Sequence, residues 1–140
     1  IPSDKIKFLY RNTNLPNNLI FLSATLQGYK SDNKSIEQRI INLKKEKEKT
    51  KPSRIKTGGS TFKNPLDRSE LKAWQLIDKA GLRAYELNGV SFSEKHANFI
   101  VNRQKDSANL IEDFGENIKK EVKSRLGIEL EWEIKILGNR

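Results

Sequence analysis

The sequence predicts an α+β fold, in which helices flank an antiparallel or mixed sheet. Two kinds of apolar spacing lead to this prediction. In residues 106–126, apolar side chains recur every three or four positions, as on a helix with one buried face. In residues 128–136 they recur at every second position, as on a strand with one buried face. Helical and extended stretches alternate without a regular strand–helix–strand rhythm, which favours the α+β class.

Capping patterns predict where two further helices begin. Ser35 and Gln38 form a capping box, in which each side chain bonds a backbone N–H of the other residue. The thin apolar stripe after them predicts a surface helix that ends before Pro52. Residues 67–70 repeat the capping pattern, and Gly81 is a suitable end for this second helix. The buried face of the second helix is predicted to consist of Leu71, Trp74, Ile77 and Ala80.

Three more segments are predicted to be strands. Residues 19–26 form an apolar run rich in aromatic and β-branched side chains, which is typical of a strand. Residues 85–92 and 98–102 are predicted as two further strands. Residues 51–65 contain Gly58-Gly59 and two prolines, so they form the chief loop and mark a boundary between subdomains.

The composition excludes several kinds of site. The 140 residues include no Cys, so neither a disulfide nor a thiolate metal site can form. A single His cannot build a histidine-rich site, so no metal is expected. No apolar run approaches the ~20 residues that span a bilayer, and a soluble, cytoplasmic protein without membrane contact is therefore expected. The chain contains no Met, even at position 1, which indicates a fragment or a processed chain.

The net charge of +9 allows two interpretations. A basic balance suits nucleic acid or an anionic small molecule, and much of the excess lies in residues 44–51. Glu46 and Glu48 interrupt this run, and no aromatic side chains are interleaved with it, so a solvated helix face is favoured over a nucleic-acid surface. A basic module that binds nucleic acid or another anion without catalysis stays open as the alternative.

Residues 57–65, Thr-Gly-Gly-Ser-Thr-Phe-Lys-Asn-Pro, resemble the signature loop Gly-Ser-x-Phe-Lys-Asn-Pro of the MurB family of UDP-N-acetylenolpyruvoylglucosamine reductases. Four further segments resemble elements of that family in the same order: residues 10–13, 73–82, 93–102 and 130–135. The five matches span nearly the whole chain. The chain is therefore identified as a member of the family, similar to its carboxy-terminal half in the more compact of two architectures.

The resemblance implies a domain division and a reaction. Residues 1–51 would end an FAD-binding domain, residues 52–127 would form the substrate-binding domain, and residues 128–140 would return to the flavin-binding part. The reaction is the reduction of UDP-N-acetylglucosamine enolpyruvate to UDP-N-acetylmuramate with FAD and NADPH, for cell-wall synthesis and hence cell shape and division. Because the family binds FAD mainly through a preceding region, this half alone is expected to be inactive, and the full-length enzyme to be a monomer.

The resemblance also assigns three catalytic residues. Ser60 matches the proton donor of the family, whereas without the family it would be a serine in a turn. Arg11 matches an arginine near the substrate carboxylate, for which a planar cation is suited. Glu133 matches a glutamate that polarises or protonates the enol carboxylate. Periodicity alone cannot distinguish Glu133 from Glu129 and Glu131, which share the solvated face of the predicted strand.

Four further residues match binding positions of the family. Lys63 and Asn64 suit the diphosphate and sugar of a UDP-sugar, although Lys63 could instead hold the loop in shape. His96 matches a polar substrate contact, with a purely structural histidine as the alternative. Lys135 stands where the family has an arginine that contacts the flavin, so this cofactor contact is expected to be weaker.

Overall fold

The computed structural model describes residues 1–50, 55–103 and 107–138, apart from the side chain of Thr50, and has the predicted α+β class. The chain divides into two compact units, Ile1–Ile40 and Ile41–Arg140. The helices among the described residues are α1 (Asn33–Thr50), α2 (Ala73–Lys79) and α3 (Ala108–Leu126), with a short 3₁₀ turn at Ser3–Lys5. The strands there are β1 (Phe8–Leu9), β2 (Asn12–Thr13), β3 (Glu86–Leu87), β4 (Val90–Ser93) and β5 (His96–Asn102).

In the first unit, the prediction of a strand at residues 19–26 is wrong. Residues 19–32 form no regular element, and their large apolar side chains are exposed, with Leu22 at 91% and Tyr29 at 100%. The only paired strands described in this unit are β1 and β2, which form a small antiparallel hairpin. An apolar run becomes a strand only where another strand binds its backbone and one face is covered, and the described part of this unit offers neither.

Helix α1 begins two residues before the predicted capping box. The cap is Asp32, whose Oδ1 accepts a hydrogen bond of 2.9 Å from the N–H of Ser35. Aspartate and serine are about equally good caps, so the sequence pattern could not decide between Asp32 and Ser35. The surface helix itself is confirmed, because Ile36 and Leu43 are 43% and 61% exposed. Glu46 and Lys49 pair at 2.8 Å along the helix, as on a solvated face.

In the second unit, the segment predicted as one strand at residues 85–92 is a tight hairpin. β3 and β4 are antiparallel and joined by Asn88 and Gly89, whose φ angles are 51° and 75°. A two-residue turn of this kind needs positive φ at both positions, for which Asn-Gly is the strongest sequence signal. β5 pairs with the other edge of β4 and starts two residues before the prediction.

Helix α2 starts at Ala73, so the helix start predicted at residues 67–70 is wrong. The Oδ1 atom of Asn64 accepts from the N–H of Ala73 at 3.0 Å, and the side chain of Gln75 accepts from the N–H of Lys72 at 2.9 Å. The first of these caps comes from the preceding loop, which no local pattern shows. Trp74, predicted to be buried, is 36% exposed, and the buried positions of α2 are Ala73, Leu76 and Ile77.

Helix α3 confirms the prediction from helical spacing. Its cap is Ser107, which accepts from the N–H of Asn109 at 3.2 Å, and it ends before Gly127 at a φ of 71°. Its buried face packs against the sheet and α2. The core of this unit consists of side chains from these elements and from the two segments beside them: Phe62, Ala73, Leu76, Ile77, Ala80, Leu82, Val90, Phe92, Ala97, Ile100, Phe114, Ile118, Val122 and Leu130.

The closing segment, residues 128–138, is strand-like over a shorter range than predicted. Leu130 is fully buried between two exposed glutamates, as the alternation predicts. Pairing is limited to an isolated antiparallel bridge between Trp132 and Phe62. The alternating pattern therefore predicts the covered apolar side chains from Ile128 to Ile134, but it is wrong at Ile136, which is 49% exposed, and it overestimates how far the backbone is paired. No helix among the described residues is long and apolar enough to cross a membrane.

Candidate active site

Within the glycine-rich loop, residues 57–65, the backbone of residues 61–63 is hydrogen-bonded to a segment on each side. The N–H of Thr61 donates to the carbonyl of Asn98 in β5, at 2.8 Å. On the other side, the N–H of Glu133 donates to the carbonyl of Thr61, and the N–H of Lys63 donates to the carbonyl of Glu131, both at 2.8 Å. Three segments that the sequence analysis singled out separately thus lie side by side.

Asn98 provides a second set of bonds to the same stretch. Its Oδ1 accepts from the N–H of Phe62 at 2.9 Å, and its Nδ2 donates to the carbonyl of Phe62 at 2.8 Å. The side chain of Thr61 is fully buried, and its Oγ1 accepts from the N–H of Ile100 at 3.4 Å. The backbone directly after Ser60 is therefore bonded on both sides.

The two glycines before Ser60 have different roles. A Cβ atom on Gly58 would lie 2.9 Å from Cδ1 of Ile134, so this glycine lets the loop approach the closing segment. Gly59 has a φ of +90°, which favours glycine, and no atom lies within 4 Å of where its Cβ would be. Ser60 is half-buried. The backbone beside Ser60 is thus open at Gly59 and close to the closing segment at Gly58.

Glu131 anchors the loop from the closing segment. Its carboxylate pairs with the guanidinium of Arg68 through a short hydrogen bond and lies 3.6 Å from the ammonium of Lys63. The bond from Arg68 lowers the pKa of Glu131, and the bond to Glu131 raises the pKa of Arg68. Through Glu131, both Lys63 and Arg68, which lie on either side of Pro65, are linked to the closing segment.

The structure separates the three glutamates that periodicity could not distinguish. Glu129 is exposed and pairs with Lys123 of α3 at 3.2 Å. Glu131 is also exposed, but it pairs with Arg68 and lies near Lys63 of the loop. Glu133 is half-buried, and its N–H bonds the carbonyl of Thr61, the residue next to Ser60. The segments that carry Ser60 and Glu133 are therefore neighbours, as a shared site requires, while the catalytic role of each residue stays a prediction.

The predicted substrate-binding residues each have a structural contact. Lys63 lies near Glu131, and Asn64 caps α2. Nδ1 of His96 accepts from the N–H of Asn98 at 3.2 Å, and its ring packs 4.7 Å from that of Phe99. These contacts hold the three residues in place on the same unit. Substrate binding by them stays a prediction.

Arg11 and Lys135 complete the predicted set. Arg11 lies in the first unit at the turn of the β1–β2 hairpin, with a φ of 52° and its guanidinium 5.4 Å from the centre of the Tyr10 ring. Its role therefore stays a prediction. Lys135 is exposed and lines a largely apolar cavity of about 380 Å³, between the first turns of α3 and the closing segment.

The described residues contain no group of three or more His, Asp or Glu side chains that could hold a metal ion. Asn98 and Glu131 are the residues of the site that the sequence analysis did not assign. Both lie inside segments that resembled the family, but only their contacts with the loop reveal what they do.

Fold and loop together define a class of protein, an α+β domain whose glycine-rich loop is bound between a strand and the closing segment. The family described as UDP-N-acetylenolpyruvoylglucosamine reductase, C-terminal domain, matches residues 51–137. The chain belongs to this family, which confirms the identification made from the five matching segments.

Relatives and a solved structure agree with this assignment. UDP-N-acetylenolpyruvoylglucosamine reductases of Rickettsia conorii and Rickettsia massiliae are 44% and 43% identical to the chain over 136 residues, which is 97% of the chain and 45% of each relative. The crystal structure of UDP-N-acetylenolpyruvylglucosamine reductase (MurB) from Thermus caldophilus matches with a TM-score of 0.70 and 30% identity, over 93% of this chain and 46% of that one. The chain spans about half the length of these proteins.

Proposed function

We propose that this chain supplies the substrate-binding part and the catalytic side chains of an NADPH-dependent flavoenzyme that reduces UDP-N-acetylglucosamine enolpyruvate to UDP-N-acetylmuramate. The observation that carries the proposal is the bonding of the Ser60 loop beside the segment of Glu133, with its backbone open at Gly59. The names of the relatives support the same reaction. The enzyme would act as a monomer in the cytoplasm, in the synthesis of peptidoglycan precursors.

Ser60 is the proposed proton donor. When bound, FAD reduced by NADPH supplies a hydride to one carbon of the enolpyruvyl double bond. The other carbon then needs a proton, and negative charge develops towards the substrate carboxylate. A serine hydroxyl is a weak acid, so it serves only when held in line with a strongly basic carbon. The bonds on both sides of Thr61 support this role, because they hold the backbone next to Ser60.

The other predicted residues act on charge and binding. Arg11 contributes a fixed positive charge to the substrate carboxylate, and Glu133 donates a hydrogen bond or proton to the developing enol. The cation and amide of Lys63 and Asn64, with His96, bind the diphosphate and sugar of the substrate. Lys135 contacts the flavin as a point charge in place of a planar guanidinium.

The same domain division is proposed for the whole enzyme. Residues 1–51 end the flavin-binding domain, residues 52–127 form the substrate domain, and residues 128–140 return to the flavin-binding part. The exposure of the apolar side chains at residues 19–29 supports the first assignment, because an isolated piece of a larger domain leaves such side chains uncovered. We therefore expect this half alone to be inactive.

A stopped-flow experiment on the flavin-loaded, full-length enzyme tests the role of Ser60. Changing Ser60→Ala removes the proton donor but not the flavin, so reduction of the flavin by NADPH should keep its rate. Reoxidation by the enolpyruvyl substrate should slow by about 10²–10⁴-fold. Ser124→Ala, on the exposed face of α3, is the control and should leave both rates unchanged. Reoxidation of the Ser60→Ala variant at the rate of the unmodified enzyme contradicts the proposal.

A further inference from the structure

The side chain of Asn98 makes hydrogen bonds to the loop of Ser60 that the backbone of a neighbouring strand would otherwise make. It is 4% exposed and makes two bonds to one residue, accepting from the N–H of Phe62 and donating to its carbonyl. An amide is suited to this pairing because it carries a donor and an acceptor side by side. The carbonyl of Asn98 also accepts from the N–H of Thr61. A single residue therefore bonds three backbone groups in the two residues after Ser60.

These bonds restrict the backbone of Thr61 and Phe62, in the middle of the loop. Phe62 is 1% exposed, so its backbone groups would be costly to leave without partners. The carbonyl of Thr61 is already bonded by the N–H of Glu133. Asn98 thus links two predicted catalytic segments, because the stretch it holds carries Ser60 at one end and contacts Glu133 at its side.

We propose that Asn98 is a positioning residue that sets the location of the Ser60 hydroxyl. The inference rests on the proposed function, since it concerns the proton-transfer step assigned to Ser60. Asn98 itself acts only through the backbone of residues 61 and 62. We call the two side-chain bonds from Asn98 to the backbone of Phe62 the clamp. A displacement of about 1 Å in a reacting group lowers a rate by up to about 10²-fold, so loss of the clamp should reduce proton transfer while leaving substrate binding nearly intact.

The variant Asn98→Asp tests the donor of the clamp. The introduced carboxylate still accepts from the N–H of Phe62, but it repels the carbonyl of Phe62 instead of donating to it. When protonated, the carboxyl donates again and mimics the amide. Burial favours this neutral form. We therefore expect flavin reoxidation by the enolpyruvyl substrate to be about 10- to 100-fold slower at pH 8 and to recover as the pH falls towards 5, with little change in the apparent Kd of the substrate.

Asn117→Asp is the matched control in the full-length, flavin-loaded enzyme. Asn117 is a half-buried asparagine of α3 whose Nδ2 donates to the hydroxyl of Tyr85 at 2.6 Å, in another part of the same unit. Both variants should lose stability in thermal unfolding, but only Asn98→Asp should show the recovery of reoxidation at low pH. Flavin reduction by NADPH should be unchanged in both variants.

The outcomes separate the two proposals. If Ser60→Ala slows reoxidation but Asn98→Asp behaves like Asn117→Asp, the positioning role of Asn98 is wrong and the proposed function stands. If Ser60→Ala has no effect, the proposed proton donor is wrong.

Asn98→Ala removes both bonds, so its reoxidation should be slow at every pH. A recovery of this variant at low pH would overturn the explanation of the effect of Asn98→Asp through the carboxyl.

Discussion

Glu116 shows how a single carboxylate holds the closing segment on α3. Its Oε1 accepts from Nε1 of Trp132 at 2.6 Å and from Nζ of Lys119 at 2.9 Å. Trp132 in turn packs against Phe62, with ring centroids 5.2 Å apart. Burial raises the pKa of Glu116, but the bonds from Trp132 and Lys119 outweigh burial and leave that pKa below its ordinary value. The ionised form therefore stabilises the position of the segment that carries Glu133.

A prediction for acid pH follows from the direction of this pKa. A carboxyl with a folded-state pKa below the unfolded value of 4.5 stabilises the fold above about pH 4.5, and this contribution is lost as the pH falls through the folded-state pKa. Glu116→Gln keeps an acceptor for Trp132 but carries no charge. We expect the variant to be less stable than the unmodified chain at pH 7, by no more than about 1 kcal/mol because the side chain of Glu116 is 39% exposed and solvent screens its bonds. This difference, measured by urea unfolding, should shrink as the pH falls below 4.5.

The variant Trp132→Phe provides a control for this measurement. It removes the indole N–H and keeps an aromatic ring, so Glu116→Gln should then have a smaller effect on the pH dependence. An unchanged effect of Glu116→Gln in this background would show that the bond from Trp132 does not lower the pKa of Glu116.

At the scale of elements, α3 and the closing segment meet at Gly115. A Cβ atom on this residue would lie 2.0 Å from Cη2 of Trp132 and 2.5 Å from Cζ2, so the indole ring packs directly on the helix backbone. A glycine inside a helix costs about 1 kcal/mol relative to alanine. The spacing of apolar residues gives no reason for a glycine inside α3, but the contact with Trp132 explains why the helix contains one at residue 115.

We predict that Gly115→Ala destabilises the protein by about 1–3 kcal/mol, although alanine is the better helix former. The added methyl displaces Trp132, so the near-ultraviolet circular dichroism of the tryptophans should also weaken. Ser124→Ala, at an exposed position of the same helix, should change the free energy of unfolding by no more than about 0.5 kcal/mol. A Gly115→Ala protein as stable as the unmodified one would contradict the close contact.

At the scale of the whole molecule, the described core belongs to one unit. Every apolar side chain that is buried in the described residues lies between Phe62 and Leu130, whereas the large apolar side chains of residues 19–29 are exposed. Because burial of apolar surface is the main stabilising contribution to folding, the second unit should account for nearly all of the stability.

A truncated chain of residues 41–140 tests this expectation. We predict that it unfolds cooperatively in urea with a free energy of unfolding within about 1 kcal/mol of that of the full 140-residue chain, because residues 1–40 add no buried apolar side chain to the described core. The dependence of that free energy on urea concentration should also be similar. A non-cooperative transition in the truncated chain would mean that the first unit contributes to the core.

The sequence by itself determined the features that depend on neighbours along the chain. The spacing of apolar residues predicted α3 and the buried face at Leu130, and the contiguous residues 57–65 identified the family and the loop of Ser60. These features are local, because a helix face and a loop motif are specified within a few turns or residues.

Only the tertiary structure decided the features that need distant partners. The apolar run at residues 19–26 forms no strand, because β propensity cannot supply the second strand that its backbone requires. The start of α2 depends on a cap from Asn64, nine residues earlier, and the three glutamates of the closing segment differ only in what lies opposite them. The clamp by Asn98 spans 36 residues. Hydrogen bonds and packing between distant segments leave no periodic signal in a single sequence, so they become visible only when the chain is folded.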